Sequence, residues 1–519
     1  MTVELQPEFD KTAKILFGEE IGKLSDFEEY LKEVMMPYMV QKSVISGKDV
    51  MISTPYYSKD AKFISQDEMG SLKSEPLDIN EIKDIDSLFQ AIGERTLYCG
   101  NKVFGKNYEV EDVDNCVDCF KVSDSQNVYE VKYGAYTSST RESEYVFGVM
   151  GFPKSKFSMR TMWGLGANRC FETYYGNDLS DTYYVFNCVG CQNCMFSSDL
   201  RGKRNMIGNL ELAADRYSKL KKKLLSEIAC ELKKKKRIFS IADITLHGRD
   251  KSNIPEEKKS YDNPVPRKVE KAFGATTNLL FGKKHLNIRD YGPWLLRYAM
   301  KIKKIKGALG TPTYKFADLP IVNEIPADRI VTLEEGMKLA LEHINISEDE
   351  EPGLKEILER VSKTMYFSFE FDDGHNENCV DTPARFTGTN IYEVLDTTRS
   401  KNSAYSTAVV ESEHIFGGYL RLLKCRFCIN CYDSTNLKGC FEVDSSYSSR
   451  DSYFCHNCEN VHDAMFCFNV KNKEYAIGNE EVGREEYLRV RKILLDYINK
   501  ELEEKKSLEM GIFRIPKKR

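Results

Sequence analysis

Cysteines recur at every third position in two runs that have the residue type and spacing of a metal centre. The runs are Cys188, Cys191, Cys194 and Cys425, Cys428, Cys431. Thiolates at this spacing bind zinc and iron–sulfur clusters. A bacterial iron–sulfur run would continue with a fourth cysteine, but those places hold Ser198 and Thr435. The alternative is that the thiols are small apolar core groups, as buried cysteines often are.

A second candidate metal set lies further along the chain, in Cys455, Cys458 and His462. Together with His456 it reads C-H-x-C-x-x-x-H, and these residue types suit zinc. The triplet spacing puts both cysteines on one side and His456 off that side, so the four groups need not converge. We therefore expect no cofactor as the first interpretation, with zinc on these residues as the alternative.

The sequence contains no specific catalytic motif. A nucleophilic cysteine needs a base within hydrogen-bond reach, and no spacing pairs one of the seven histidines with a cysteine. Paired carboxylates stand at Glu142/Glu144 and Glu411/Glu413, where we expect an outward strand face. No catalytic residue is therefore predicted.

Tyrosines beside small polar residues form another candidate surface, in Tyr174-Tyr175-Gly176-Asn177 and Tyr183-Tyr184. If exposed, these rings could stack on sugars or bases. The alternative is that they pack in ladders against equivalent rings of neighbouring repeats.

The cysteines belong to a longer pattern with a period of three residues. From Cys425 to Cys467 every cysteine falls on one phase, and the other places on that phase are small or apolar. This period is neither the 3.6 of a helix nor the 2 of a strand. It predicts a β-solenoid, in which coils of backbone stack and identical positions form ladders. Coils of twelve or eighteen residues fit, with twelve as the first choice.

The two halves of the chain resemble each other at a nearly constant offset. Cys170-Phe171-Glu172 matches the residues from Cys440 to Glu442, and Ile207-Gly208-Asn209 matches those from Ile477 to Asn479. At the same offset Val461 and Ala464 correspond to Cys191 and Cys194, which favours a core role for these thiols. The ordered series of matches predicts a tandem duplication.

Each copy reads as a helix-containing head, a cysteine-lined solenoid and a capping helix, so the predicted fold class is α+β. A solenoid end exposes an unpaired strand edge, which a helix can cover. The predicted boundaries are head 1–96, solenoid 97–209, capping helix 210–237, linker 238–266, head 267–365, solenoid 366–479, and capping helix with basic tail 480–519.

Charge and hydropathy narrow the class of protein. The net charge is −5 and the pI is about 6.0, so nucleic acid is not the expected partner. We find no run long enough to cross a bilayer and no signal peptide, and therefore expect a cytoplasmic protein with reduced thiols. The basic run 233–237 ends a predicted helix, where it complements the helix dipole; an anionic partner is the alternative.

The cysteine triplets, the segment from Asn472 to Asn479 and then Glu486-Tyr487 resemble the close of a group of uncharacterised cysteine-rich repeat proteins from uncultivated bacteria and archaea. The resemblance implies the repeat fold and no activity. That group has zinc-ribbon-like cysteine pairs near the N-terminus, whereas this chain has no cysteine before Cys99.

The sequence therefore predicts a non-enzymatic scaffold or binding protein that presents two similar faces to a protein partner or to copies of itself. One alternative is a structural zinc or iron–sulfur protein using the C-x-x-C-x-x-C runs. Another is an enzyme acting on a polymer along the solenoid groove.

Overall fold

The fold combines helices and strands, as the α+β prediction requires. The computed structural model describes residues 3–71, 77–93, 95–250, 252, 254–260, 262–316, 318–419, 421–423, 429, 441–442 and 450–515. The α-helices in these ranges are α1 (Gln6–Phe17), α2 (Glu28–Lys32), α3 (Ile85–Gly93), α4 (Ala214–Lys235), α5 (Ile241–Leu246), α6 (Arg267–Phe281), α7 (Gly292–Leu295), α8 (Pro320–Asn323), α9 (Leu333–Leu339), α10 (Leu354–Thr364) and α11 (Arg484–Lys505).

The strands fall into short head strands and two long arrays. The first-half strands are β1 (Met39–Lys42), β2 (Asp49–Ile52), β3 (Phe63–Ser65), β4 (Tyr98–Gly100), β5 (Val103–Phe104), β6 (Tyr108–Val117), β7 (Phe120–Ala135), β8 (Ser138–Met150), β9 (Lys156–Phe186), β10 (Gln192–Ser198), β11 (Arg204–Ile207) and β12 (Leu210–Glu211). The second-half strands are β13 (Ile302–Lys306), β14 (Pro312–Phe316), β15 (Ile330–Val331), β16 (Phe367–Ser368), β17 (Phe371–Asp373), β18 (Glu377–Val380), β19 (Ala384–Val410), β20 (Arg421–Leu423), β21 (Arg450–Tyr453), β22 (Glu459–Met465), β23 (Lys471–Ile477) and β24 (Glu480–Glu481).

Array 1 is the sheet of β5 to β12, whose neighbours in space are also neighbours in sequence. Its strands are parallel up to β11, and partner residues are twelve apart in most of the array: Tyr108 pairs with Phe120, and Gln126 with Ser138. Array 2, β17 to β24, repeats this spacing, as in Glu459 with Lys471. The chain therefore returns to the same position every twelve residues.

A left-handed residue at every third position lets the chain turn this often. Asn115, Asp118, Lys121, Asp124 and Asn127 all have φ between 45° and 54°. Residues other than glycine rarely adopt this left-handed backbone conformation, and among them asparagine and aspartate tolerate it best. The corners are also linked to one another, since Asn115 Nδ2 donates to Asn127 Oδ1 at 2.9 Å.

The residue after each corner is buried inside the array. Cys116, Cys119 and Val122 follow the corners at 115, 118 and 121 and are at most 1% exposed. The interior cluster of array 1 is Val113, Cys116, Cys119, Val122, Val128, Val131, Val146, Val149, Phe152, Ala167, Cys170, Leu179, Val185, Cys188, Cys191, Cys194, Leu200 and Met206. The corresponding cluster of array 2 is Cys455, Cys458, Val461, Ala464, Cys467 and Ala476.

Helices cover the outside of both arrays through recurring contacts. The Tyr183 hydroxyl donates to the Leu16 carbonyl at 2.8 Å, and the Tyr453 hydroxyl donates to the Leu280 carbonyl at 3.1 Å. Phe17 meets Phe171 edge to face at 5.0 Å. In the second half the same T-shaped contact joins Phe281 and Phe441 at 4.9 Å. Helices α1 and α6 therefore dock in the same way.

The two halves also exchange contacts reciprocally at the array ends. In one direction, Asn187 Nδ2 in array 1 donates to the Ser368 carbonyl of the second half at 3.0 Å. In the other, Asn469 Nδ2 in array 2 donates to the Leu97 carbonyl of the first half at 2.9 Å. Each array is therefore anchored to the segment that precedes the other array.

The closing helices α4 and α11 also make contacts between the two halves. Helix α4 contacts α10, where Glu227 Oε2 accepts from the Leu354 amide at 2.6 Å. Helix α11 contacts α3, where Phe89 and Tyr497 meet at 5.5 Å in a T-shaped pair. Each closing helix therefore packs on a helix of the other half, and the two halves interlock.

The predicted linker 238–266 contains α5, which is capped by Ser240 and Asp243 in a capping box. In the basic run before it, Lys233, Lys236 and Arg237 form ion pairs with acidic side chains of the first head. These ion pairs connect the C-terminal end of α4 and the two residues after it to the head. In the part of the chain described above, no helix is long and apolar enough to cross a membrane.

Candidate functional site

The first cysteine run lies in the core of array 1. Cys188, Cys191 and Cys194 are at most 1% exposed. Burial and a hydrogen bond with Cys191 raise the pKa of the Cys188 thiol, while the bonds from Cys188 and Cys194 lower the pKa of Cys191. Each sulfur also lies 3.4 to 3.5 Å from the carbonyl oxygen two residues before it, as a thiol donor would.

The other predicted ligands are only partly brought together. Cys455 and Cys458 are buried side by side, whereas His462 is half-buried outside their cluster. The His456 Nε2 accepts a hydrogen bond from the Cys99 backbone amide at 3.0 Å, so this nitrogen is engaged in a structural contact. Among the residues described, no three His, Cys, Asp or Glu side chains are arranged to hold a metal ion. The remaining predicted ligands lie outside the described residues: Cys425, Cys428 and Cys431.

Burial of the thiols predicts a sharply uneven reactivity. Of the twelve described cysteines, Cys230 is exposed, Cys379 is half-buried and ten are buried. In native protein we expect N-ethylmaleimide to modify Cys230 first, Cys379 more slowly and the buried ten only after unfolding, because burial excludes the reagent from the sulfur whatever its protonation state. Peptide mass spectrometry measures this, with C230S as the control. Rapid native labelling of Cys188, Cys191 or Cys194 would contradict it.

The predicted carboxylate pairs do face outward. Glu142 and Glu144 are paired with lysines twelve residues further along the chain, and Glu411 and Glu413 are exposed beside Arg399 and Lys401. The tyrosines of the two segments are packed and not exposed: the four rings are at most 4% exposed, so packing, and not an open stacking surface, is what the structure shows for them. They are Tyr174, Tyr175, Tyr183 and Tyr184.

A cleft of about 580 Å³ opens between the two arrays. Its array 1 wall is lined by Asn127, Tyr129, Ser139, Arg141, Gly151, Trp163, Gly164, Leu165, Tyr175, Gly176, Asn177 and Asp178, with Met36. Its array 2 wall is lined by Phe371, Asp373, Gly374, Ala384, Phe386, Thr387, Asp396, Thr398, Arg399, Thr407 and Ala408. Both halves of the chain therefore build one site.

Some lining residues of the two walls fall at matching positions of the alignment that predicts the duplication. In the alignment that pairs Glu142 with Glu411, Tyr129 corresponds to Thr398 and Asn127 to Asp396. All four of these lining residues face the same cleft. In that alignment a tyrosine of one wall takes the place of a threonine of the other, and an asparagine takes the place of an aspartate.

Aromatic rings line both walls. Trp163 is half-buried beside Gly151, where a Cβ would lie 3.5 Å from the indole ring. Phe371 and Phe386 stack at 4.7 Å on the opposite wall. The Arg141 guanidinium lies 5.2 Å from the centre of the Tyr129 ring, so a cation and a π-system share this part of the surface.

Polar groups of the cleft include one buried hydroxyl without a partner. Tyr175 is 4% exposed, and its hydroxyl has no hydrogen-bond partner among the described residues. Burial, and then the negative charge of Asp396, raise its pKa, so the hydroxyl remains a donor. Acidic Asp178 and Asp373 also line the cleft. The arrangement can therefore stack a ligand and hydrogen-bond to it.

Sequence reasoning did not find the cleft as a site. It singled out Tyr175 and Asn177, but only within a single copy of the repeat. Trp163 and Arg141 lie in a stretch with no recognisable motif, and the facing residues are more than two hundred positions away in sequence. One signal was available, since Trp163 is one of only two tryptophans in the chain.

Comparison with known proteins gave no match: no family model, curated protein or solved structure corresponds to this chain. The class of protein must therefore be inferred from the fold and the cleft.

Proposed function

We propose that the chain is a non-enzymatic scaffold or binding protein made of two tandem copies of one unit, each built around a β-solenoid. The twelve-residue register and the corners at every third residue support coils of four short sides. The docking of α1 and α6 on their arrays by matching hydrogen bonds and ring contacts supports the duplication.

The observation on which this function rests is the cleft between the arrays. Sites for small ligands are concave, mostly preformed and lined by apolar surface with a few placed polar groups. The cleft has this composition, and its walls come from both copies. In this proposal duplication supplies two similar faces for one ligand, as the two subunits of a symmetric dimer do for a shared site.

A blocking variant tests this site. Thr398 is partly exposed on the array 2 wall, and T398W would fill space in the cleft. In thermal-shift screens with sugars, peptides, nucleotides and metabolites, compounds that bind the native chain should raise its Tm by several degrees at saturation. T398W should abolish those shifts.

K401W is the matched control, because Lys401 lies three residues further on in the same array, is exposed, and is not part of the cleft. K401W should keep every shift, and both variants should have nearly native Tm values without ligand. Shifts that survive in T398W would place binding elsewhere and overturn the assignment of the cleft.

A further inference from the structure

We propose, building on the proposed function, that the ligand of the cleft is an uncharged linear saccharide. Three features of the walls point to this class: their length, their balance of charge and the chemistry of their side chains.

The array 1 wall is a groove that follows the stacking direction of the coils. Asn127, Ser139, Gly151, Trp163 and Tyr175 succeed one another at twelve-residue steps and all line the cleft. Strands pack about 4.8 Å apart, so four steps extend over about 19 Å. A second column of lining residues, including Tyr129, Arg141, Leu165 and Asn177, runs beside the first. An elongated chain fits this shape better than a compact molecule.

The balance of charge disfavours an anionic polymer. Asp178, Asp373 and Asp396 line the cleft, against Arg141 and Arg399. Arg399 is itself paired with Glu411, which offsets its charge. Nucleic acids need several lysines or arginines to neutralise phosphates, and acidic glycans have a related requirement. The cleft therefore disfavours an anionic chain, and the chemistry of its side chains, described next, favours a neutral chain over a cationic one.

The side chains match the two surfaces of a sugar ring. The half-buried Trp163 and the partly buried Tyr129 and Phe386 offer faces with negative quadrupole potential to C–H groups. Carboxylate, amide and guanidinium groups between them can bond ring hydroxyls in pairs.

Tyr175 adds a buried donor at the end of the first column. A donor buried without a partner is destabilising, and its hydroxyl has none among the described residues. The oxygen itself is buried, so a ligand hydroxyl would accept this hydrogen bond only after a shift of the ring toward the cleft, a shift that pairing the orphaned donor would favour.

Isothermal titration with defined oligomers tests the proposal. The neutral probes are cellohexaose, xylohexaose, mannohexaose and maltohexaose; the others are hexagalacturonate, oligo-dT of twelve nucleotides and nonalysine. We expect saturable binding of at least one neutral hexasaccharide, at least tenfold weaker binding of its monosaccharide, and no comparable binding of the charged probes.

Variants locate the site. W163A should weaken binding at least tenfold and Y175F three- to tenfold, with W163F between native and W163A because it keeps a ring. Y108A is the matched control: Tyr108 is an exposed ring of the same array that does not line the cleft, and its loss should leave affinity unchanged.

The outcomes separate the two proposals. Binding of none of the neutral hexasaccharides, or binding that W163A, W163F and Y175F leave intact, would overturn the saccharide assignment. Binding of oligo-dT or nonalysine that T398W abolishes would overturn it too, while supporting the cleft as a site. Saccharide binding that T398W leaves intact would overturn both.

Discussion

Produced as separate chains, residues 1–250 and 251–519 should each fail to fold, and together they should form a stable one-to-one complex. The reason is the reciprocal docking of the closing helices: α4 packs on α10 and α11 on α3. Separating the halves would expose the apolar faces of four helices and the partners of Asn187 and Asn469. Stable monomeric proteins rarely expose large contiguous apolar patches such as the faces of several helices.

Coexpression followed by size-exclusion chromatography with light scattering measures this result. The intact chain carrying a protease site between residues 250 and 251 is the matched control, since after cleavage it should still elute as one particle. A half that is soluble, monomeric and unfolds cooperatively alone would show that the halves are independent domains.

Replacing Arg160 by methionine should lower the free energy of unfolding by about 3–5 kcal/mol, the usual cost of breaking a buried ion pair. Arg160 and Glu172 are fully buried and meet at 2.6 Å. Glu172 also accepts from the hydroxyls of Tyr30 and Tyr174, at 2.9 and 2.6 Å. Without Arg160 this carboxylate would be left charged in the core beneath α2.

Urea unfolding followed by circular dichroism measures the loss. R514M is the matched control, because Arg514 and Glu509 form an exposed pair worth about 0–1 kcal/mol. The double variant R160M/E172Q should recover part of the stability, since it removes the orphaned charge. Equal effects of R160M and R514M would show that the buried pair contributes nothing beyond a surface pair.

The interior of the arrays was predictable from the sequence because its signal is local. The cysteines at positions 188, 191 and 194 indicate a period of three, and the side chains at these positions are buried. The core interpretation of the thiols rested on Val461 and Ala464, which are buried at the corresponding places.

The surface of the arrays was harder to predict because burial there depends on distant partners. From its own segment, Tyr175 could only be expected to be exposed or to pack on a neighbouring repeat, yet it packs against Phe316 and Phe369 of the other half. The cleft has the same origin, since Trp163 and Phe386 line it from opposite halves of the chain, which are brought together by the packing of the two halves. The periodicity of either segment alone gives no information about which residues of the other half lie across the cleft.

Because the corners recur at every third residue, an insertion or deletion in the arrays changes which side chains point inward unless its length is a multiple of three. In the proposed solenoid, adding one residue would turn the interior side chains outward. Adding three would keep the phase but shift the ladders between coils, and only twelve would add a complete coil. Array 2 contains a shift of one residue. Its corners lie at 411 and 414, whereas further along the chain they lie at 451 and 454, one residue out of the three-residue phase. The pairing of Ala408 with Arg421, at a spacing of thirteen and not twelve, belongs to the same region. We expect length variation among relatives to occur in steps of twelve, with single insertions confined to such repaired junctions.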